Sequence, residues 1–294
     1  MAGYSQTIPN RMQCLLPMDH PIAIENIRRR LSPAELKRNC IPPNVLEDIK
    51  QFAFTRTGGV RKNANGTVFI YDDLDLIVSR YSSLMDEIMP GCLSSPCVSG
   101  NFFITPQQYG LHTDSITKHD FEESLKRVPL SDPMRRYTVW KNILIPLWLG
   151  GEEDIDGGQI LFFDQRHIDW SHVYNHGNAT KSIATTYPIA DDYSKLDFYD
   201  GQGHLMSKDL KPFDKEIHDR YLITPIKRLT GLSTEAVLDW TPGDAMVFDA
   251  VQLHATNRGS KHLTPWYCKM GLLLCFIVEL DEDLLHEWRL IMQW

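Results

Sequence analysis

Apolar positions follow two rhythms along this chain, a helical one near its two ends and a strand-like one between them. Ser32-Pro33 ahead of AELKRN reads as an N-cap with proline at the first helical position. A second helical pattern runs from about Val45 to Phe54. From Asp73, the positions Leu74, Ile77, Tyr81, Leu84 and Ile88 recur at helical spacing until Pro90-Gly91 stops them. Beyond this point β-branched and aromatic residues take over, and CVSGNFFIT (97–105) and YTVWKNILIPLWL (137–149) read as strands. Further strands are predicted at 158–163, 236–240, 244–250 and 269–280, with turn signals at Gly157-Gly158 and Pro242-Gly243. Many short strands joined by long loops predict a jelly-roll barrel. After the capping Asp281, the spacing of Leu284, Leu285, Trp288 and Ile291 predicts a closing helix over 281–294.

The expected fold is therefore mainly β with flanking helices. A β-rich chain of 294 residues can form one undivided domain. Its parts would be a helical N-terminal support (1–96), a jelly-roll core (97–280) and the C-terminal helix. Residues 164–233 form a polar, aromatic-rich insertion holding His167, His172, His176, His204 and His218, with no sustained period. Such a segment inside a compact domain reads as a lid or binding loop, with local disorder as the competing reading. A lid would bring Tyr193, Tyr199 and His204 toward a bound substrate. His172 and His176 share a helical spacing but lack a glutamate and a third ligand, so they are set aside.

Composition narrows the partners. Hydrophobic residues at 43% and charged residues at 23% are ordinary for a globular protein and argue against extended disorder. Thirty basic against thirty-eight acidic residues, a formal charge of −8, speak against a long nucleic acid as partner. The runs Arg28–Arg30 and Arg135-Arg136 read as solvated faces. No segment reaches the ~18 apolar residues of a membrane span, and the first twenty residues carry no signal-peptide pattern. A soluble, cytoplasmic protein is expected, and six cysteines fit free thiols in a reducing compartment. Cys92 and Cys97, a close pair without a second, are weak grounds for zinc.

The chemistry concentrates at three places. In YGLHTDS, His112 and Asp114 stand two apart at a strand end, so extended geometry sends both side chains from one face toward one metal. A second histidine would complete the two-histidine, one-carboxylate set of non-haem iron(II) oxygenases, which leaves coordination positions open. His254 is the candidate, just past the strand that follows the Pro242-Gly243-Asp244 turn. Lys269 opens the apolar run MGLLLCFIVEL, where a charge is costly without a partner, and a dicarboxylate would supply one. Arg258 is the alternative cation. Asn142 is a further polar strand residue whose inward or outward aim alternation leaves open. No nucleophile elbow, phosphate loop or dinucleotide fingerprint is present.

Taken in order, these pieces resemble the iron(II)- and 2-oxoglutarate-dependent dioxygenases, within them the phytanoyl-CoA dioxygenase-like and prolyl hydroxylase-like branches. HTD (112–114) looks like the family's first two iron ligands. PGDAMVFDAVQLHAT (242–256) looks like the turn and strand bearing the distal histidine, and DGGQILFF (156–163) is similar to the hairpin between them. Lys269 looks like the basic residue that pairs with the distal carboxylate of 2-oxoglutarate, although it lies fifteen positions after His254, an unusually long gap. The resemblance covers roughly residues 97–280 and implies a double-stranded β-helix of the cupin-like kind. It also implies Fe(II), with 2-oxoglutarate as cosubstrate, and dioxygen. Hydroxylation of a small-molecule substrate with release of succinate and carbon dioxide would follow. Asp114 stands where related halogenases carry a small residue, which favours hydroxylation. Two alternatives remain: a cupin-like metal protein acting without 2-oxoglutarate, and a non-catalytic binding barrel. Lys269 discriminates, since only the cosubstrate reading requires it to face the metal site.

Overall fold

The computed structural model describes residues 20–55, 60–62, 68–70, 74–95, 97–105, 110–114, 136–150, 158–168, 196–208, 211–256 and 268–292. Their strands are β1 (Glu35–Lys37), β2 (Val60–Lys62), β3 (Val68–Ile70), β4 (Cys97–Thr105), β5 (Tyr137–Gly150), β6 (Ile160–Arg166), β7 (Thr234–Leu238), β8 (Ala245–Asp249), β9 (Gln252–Thr256) and β10 (Cys268–Glu279). The helices are α1 (Pro21–Arg28), α2 (Pro43–Thr55), α3 (Leu74–Arg80), α4 (Ser82–Ile88), α5 (Lys215–Tyr221) and α6 (Glu282–Met292). The strands form two antiparallel sheets, one ordered β1-β8-β5-β10-β4-β3-β2 and the other β7-β6-β9.

β10 lies at the centre of the larger sheet because both of its faces are covered, which is why its sequence is apolar nearly throughout. Met270, Leu272, Leu274 and Phe276 point to the outer face, where Ile49 and Phe52 of α2, Ile77 of α3 and Met85 and Ile88 of α4 cover them. Lys269 and Leu273, on the opposite parity, face inward. The same alternation turns Asn101 and Phe103 of β4 inward and sends Phe102 outward. Between the sheets, Leu144, Ile160, Phe162, Trp240, Met246 and Phe248 pack as an inner core.

The strands expected at 97–105, 137–149 and 269–280 match β4, β5 and β10 within a residue, and a closing helix is present as α6. Elsewhere the structure differs from the sequence reading. The AELKRN segment is not a helix: Glu35–Lys37 pairs with Val247–Ala245 at the edge of β8, so sheet pairing overrides a helical propensity of a few tenths of a kcal/mol per residue, at most ~0.7. The helix expected from Asp73 to Ile88 is two helices that meet at Tyr81, whose hydroxyl donates to Asp48. The N-terminal support is thus mixed, with β1, β2 and β3 extending the sheet. Arg28, Arg29 and Arg30 pair with Glu25, Asp281 and Asp283, tying α1 to α6 rather than forming a free basic face.

The region read as an insertion, with a lid or binding loop and local disorder as its alternatives, carries regular structure in its described parts. Asp164–Arg166 continue β6, and residues 211–232 carry α5 and a buried apolar set, Phe213, Leu222, Leu229 and Leu232. These pack on Leu161, Phe163, Leu253 and Ala255, the outward parity of β6 and β9. That part therefore covers the outside of the smaller sheet and is not a lid over the cavity. Residues 169–195, with His172, His176 and Tyr193, lie outside the described residues, as do Arg135 and Arg258.

Where β8 passes into β9, a buried ionic cluster joins the two sheets. Asp249 receives Lys141 of β5 and the Nε of Arg166 of β6 (3.2 Å), and Arg166 also reaches Glu235 of β7 at 2.7 Å. Both Arg166 and Asp249 are buried. The backbone N–H of Ser32 donates to Asp249 and that of Ala34 to Glu235, which is what draws this segment into the edge of the sheet. Removing one member leaves uncompensated buried charge. Asp249→Ala is expected to lower unfolding free energy by about 3–5 kcal/mol, measured by urea denaturation; a loss below about 1 kcal/mol would contradict the buried network.

Candidate metal centre

Two backbone hydrogen bonds create the site. His112 N–H donates to the His254 carbonyl and His254 N–H to the His112 carbonyl, each at 2.9 Å, an isolated antiparallel bridge that adds the 110–114 segment to the free edge of β9. Residues paired this way project side chains to the same face, and the two imidazole centroids are 4.2 Å apart. Asp114, two residues on, shares that face. Its carboxylate lies 3.6 Å from Nε2 of His112 and 3.5 Å from Nε2 of His254. One donor atom from each residue lies within 4.8 Å of the others.

The donor set fits a divalent ion. Nδ1 of His112 sits 2.7 Å from the Gly110 carbonyl, and Nδ1 of His254 sits 3.0 Å from the Gln252 carbonyl. Each carbonyl fixes a proton on Nδ1 and leaves the Nε2 lone pair aimed at the common point. An octahedral ion with ~2.1 Å bonds sets neighbouring ligand atoms ~3 Å apart, and the two carboxylate–imidazole separations stand about half an ångström wider than that. Asn142 of β5 donates Nδ2–H to Oδ2 of Asp114 at 2.9 Å, orienting it. The Oδ1 of Asn142 is buried and has no partner among the described residues.

Electrostatics favour the metal-binding forms of His112 and Asp114 but the protonated form of His254. Burial, helped by the neighbouring His254, pushes the His112 imidazole down to about 4, so it is neutral. For Asp114, burial works against ionisation, but His254, His112 and the Asn142 amide outweigh it and hold the carboxyl below its ordinary range. For His254, burial opposes the charged form, yet the Asp114 carboxylate prevails and raises it. Binding an ion between the three would displace that proton.

The triad opens into a cavity of about 200 Å³ lined by Asn101, Phe103, Leu144, Ile160, Trp240, Thr256, Leu273 and Lys269. That is below the ~300–1,000 Å³ typical of drug-sized ligand sites and suits a small cosubstrate. Lys269 is 2% exposed. Its ammonium stands 4.7 Å from the Trp240 ring centroid and has no ion pair or hydrogen bond among the described residues. Burial pushes its pKa down to about 7. The structure thus brings His112, Asp114, His254 and Lys269 to one cavity. Tyr199 and His204 do not line it: Tyr199 bridges to Arg166, and His204 is exposed beside Asp200.

Sequence reasoning did not single out Asn101 or Trp240, and it left the aim of Asn142 open. An asparagine between apolar residues in CVSGNFFIT was the available signal for Asn101. Nothing local distinguishes Trp240, whose place depends on contacts from three other strands. Cys40, Cys92, Cys268 and Cys275 are free thiols, and the only group of metal-ligating side chains among the described residues is the His–Asp–His set. No described helix is long and apolar enough to cross a membrane.

No protein-family model and no curated protein matches the chain. Among solved structures it is similar to the epimerase SnoN in complex with Fe3+, alpha ketoglutarate and nogalamycin RO, at 9% identity and TM-score 0.40 over 89% of this chain and 88% of that one. It is also similar to a Pseudomonas putida prolyl-4-hydroxylase (12%, 0.39, 86% and 95%). A third is HygX from Streptomyces hygroscopicus with nickel, 2-oxoglutarate and hygromycin B bound (11%, 0.39, 84% and 83%).

Alanine at His112, Asp114 or His254 is expected to lower Fe(II) affinity by more than ~100-fold, and Asn142→Ala by ~10–100-fold, in anaerobic equilibrium dialysis. Unchanged stoichiometry and affinity in the three ligand variants would remove the site.

Proposed function

We propose that this protein is an iron(II)- and 2-oxoglutarate-dependent dioxygenase of the double-stranded β-helix type that hydroxylates a small molecule. The observation that carries the reading is a buried lysine without a carboxylate partner in the same apolar cavity as a two-histidine, one-carboxylate triad. His112, Asp114 and His254 would hold the iron, and Lys269 would receive the distal carboxylate of 2-oxoglutarate. The strand order supports a jelly roll: β4, β10, β5 and β8 make one wall, and the His112 segment, β9, β6 and β7 make the other.

When bound, the iron and cosubstrate supply oxidising power from dioxygen, with 2-oxoglutarate converted to succinate and carbon dioxide. The chain's own residues set the conditions. Three ligands on one side leave open positions opposite them. Lys269 orients the dicarboxylate by charge, and its attraction strengthens because Phe103, Leu144, Ile160 and Leu273 keep the cavity apolar. Asn142 holds Asp114 so that its carboxylate does not rotate away. Arg258, outside the described residues, remains the alternative anion partner. A cupin-like protein acting without 2-oxoglutarate would have no use for a buried cation here, so the aim of Lys269 into the cavity favours the cosubstrate reading. A formal charge of −8 and a small cavity support a small-molecule substrate over a long nucleic acid.

Succinate formation from 2-oxoglutarate, dependent on Fe(II) and oxygen and stimulated by a metabolite pool, tests the activity; its absence in the iron-loaded protein would count against it. Lys269→Met is expected to weaken 2-oxoglutarate by at least ~30-fold in anaerobic calorimetry while iron stays bound, since truncating one side of a buried charge pair costs ~2–5 kcal/mol. An unchanged affinity would move the role to Arg258.

The same substitution should stabilise the protein without cosubstrate. The folded-state pKa of Lys269 lies near 7, below its ordinary 10.5, so the folded state binds fewer protons between those values. Below pH 7 the native protein bears the whole cost of a buried charge, and the cost falls as pH rises toward 10.5. Lys269→Met is therefore expected to add roughly 2–4 kcal/mol at pH 6, with the gain shrinking through pH 7–10 in urea titrations. A gain that grows with pH would contradict the burial of this charge.

A further inference from the structure

Lys269 carries a flexible four-carbon stem, and among the described residues the only acidic side chain lining its cavity is Asp114. An ammonium free to swing in an apolar space is drawn to such a carboxylate, where it would compete with a metal for the same oxygens. The structure shows it elsewhere, over the face of Trp240 at 4.7 Å. A ring face attracts a desolvated cation without offering it a full negative charge.

The Trp240 ring is itself held on several sides. Its Nε1–H donates to the Trp148 carbonyl of β5 at 3.1 Å. It lies against Gly271 of β10 so closely that a Cβ there would come within 2.8 Å of its Cη2. Phe103 of β4 meets it at a steep angle, 5.9 Å between centroids and 64° between planes. A Cβ on Gly158 would sit 3.0 Å from the Trp240 Cβ. Gly271 thus leaves the space this ring occupies and Gly158 the space for the residue's Cβ, and Trp240 is 3% exposed.

We infer that Trp240 is a positioning residue that seats the Lys269 ammonium on its face, keeping it off Asp114 and holding it where the distal carboxylate of an incoming dicarboxylate arrives. The dicarboxylate half of this statement rests on the function proposed above, whereas the protection of Asp114 does not. In metal-free protein the ring is the cation's partner, and on cosubstrate binding the carboxylate joins it from the cavity side.

A double-mutant cycle with two probes tests the seat. Trp240→Leu and Trp240→Phe are made in the native and Lys269→Met backgrounds, with thermal midpoints confirming that each folds; Trp240→Met replaces the leucine variant if that one does not. Mn(II) alone is titrated first, then 2-oxoglutarate into the Mn(II)-loaded protein without oxygen. In the native background Trp240→Leu is expected to weaken 2-oxoglutarate about tenfold and Mn(II) about threefold, with Trp240→Phe recovering most of both because it keeps a π face. Both losses should vanish in the Lys269→Met background. Equal losses in the two backgrounds would make Trp240 a wall of the cavity and overturn the inference. If Lys269→Met alone leaves 2-oxoglutarate affinity unchanged, the cosubstrate role of Lys269 falls, and the Mn(II) arm still decides the seat.

Discussion

The site depends on one pair of backbone hydrogen bonds, those between His112 and His254. Neither residue is close to the other in sequence, and the 110–114 segment forms no longer ladder among the described residues. The bridge nevertheless fixes separation and facing at once, because directly paired residues on antiparallel strands place their side chains on the same side. Asp114 then follows from the two-residue period of extended chain. Everything behind β9 supports this edge. Leu253 and Ala255 point away from the imidazole and bury against Phe213, Leu222 and Leu229, so residues beyond the cavity hold the strand that carries a ligand.

A second constraint runs through the larger sheet and opposes stability. β10 lies between β4 and β5 with both faces covered, yet its second residue is a lysine buried in apolar surroundings. Such a charge costs stability, since an uncharged side chain of similar length would stabilise the sheet. Contrast the cluster of Lys141, Arg166, Asp249 and Glu235, where each charge meets an opposite one. One arrangement is complete and joins two sheets; the other is incomplete and faces a cavity. That difference separates a cation satisfied within the fold from the one proposed above to receive a ligand.

Much of this was legible in the sequence. β4, β5 and β10 are long runs of apolar, β-branched and aromatic residues, whose length and composition leave little alternative. The spacing of HTD predicted a shared face, and the lysine was conspicuous in its run. What was not legible depended on tertiary pairing. β9 escaped notice because AMVFDAVQLHAT contains no glycine or proline at the crossing from one sheet to the other; Ala250 and Val251 make that turn while buried. His254 therefore lies in the middle of a strand rather than beyond one. β1 has a helical composition and becomes a strand through the edge of β8. The insertion looked featureless because its apolar residues, widely spaced in sequence, are gathered only by the outer face of β6 and β9.

On the proposed function, three side chains and one lysine frame a single metal and cosubstrate. Anomalous diffraction from crystals prepared without oxygen in Mn(II) and 2-oxoglutarate tests it most directly. One strong peak is expected at coordinating distance from Nε2 of His112, a carboxylate oxygen of Asp114 and Nε2 of His254, with the cosubstrate extending from it to the Lys269 ammonium. A peak elsewhere, or a metal at the triad with 2-oxoglutarate directed away from Lys269, would contradict it.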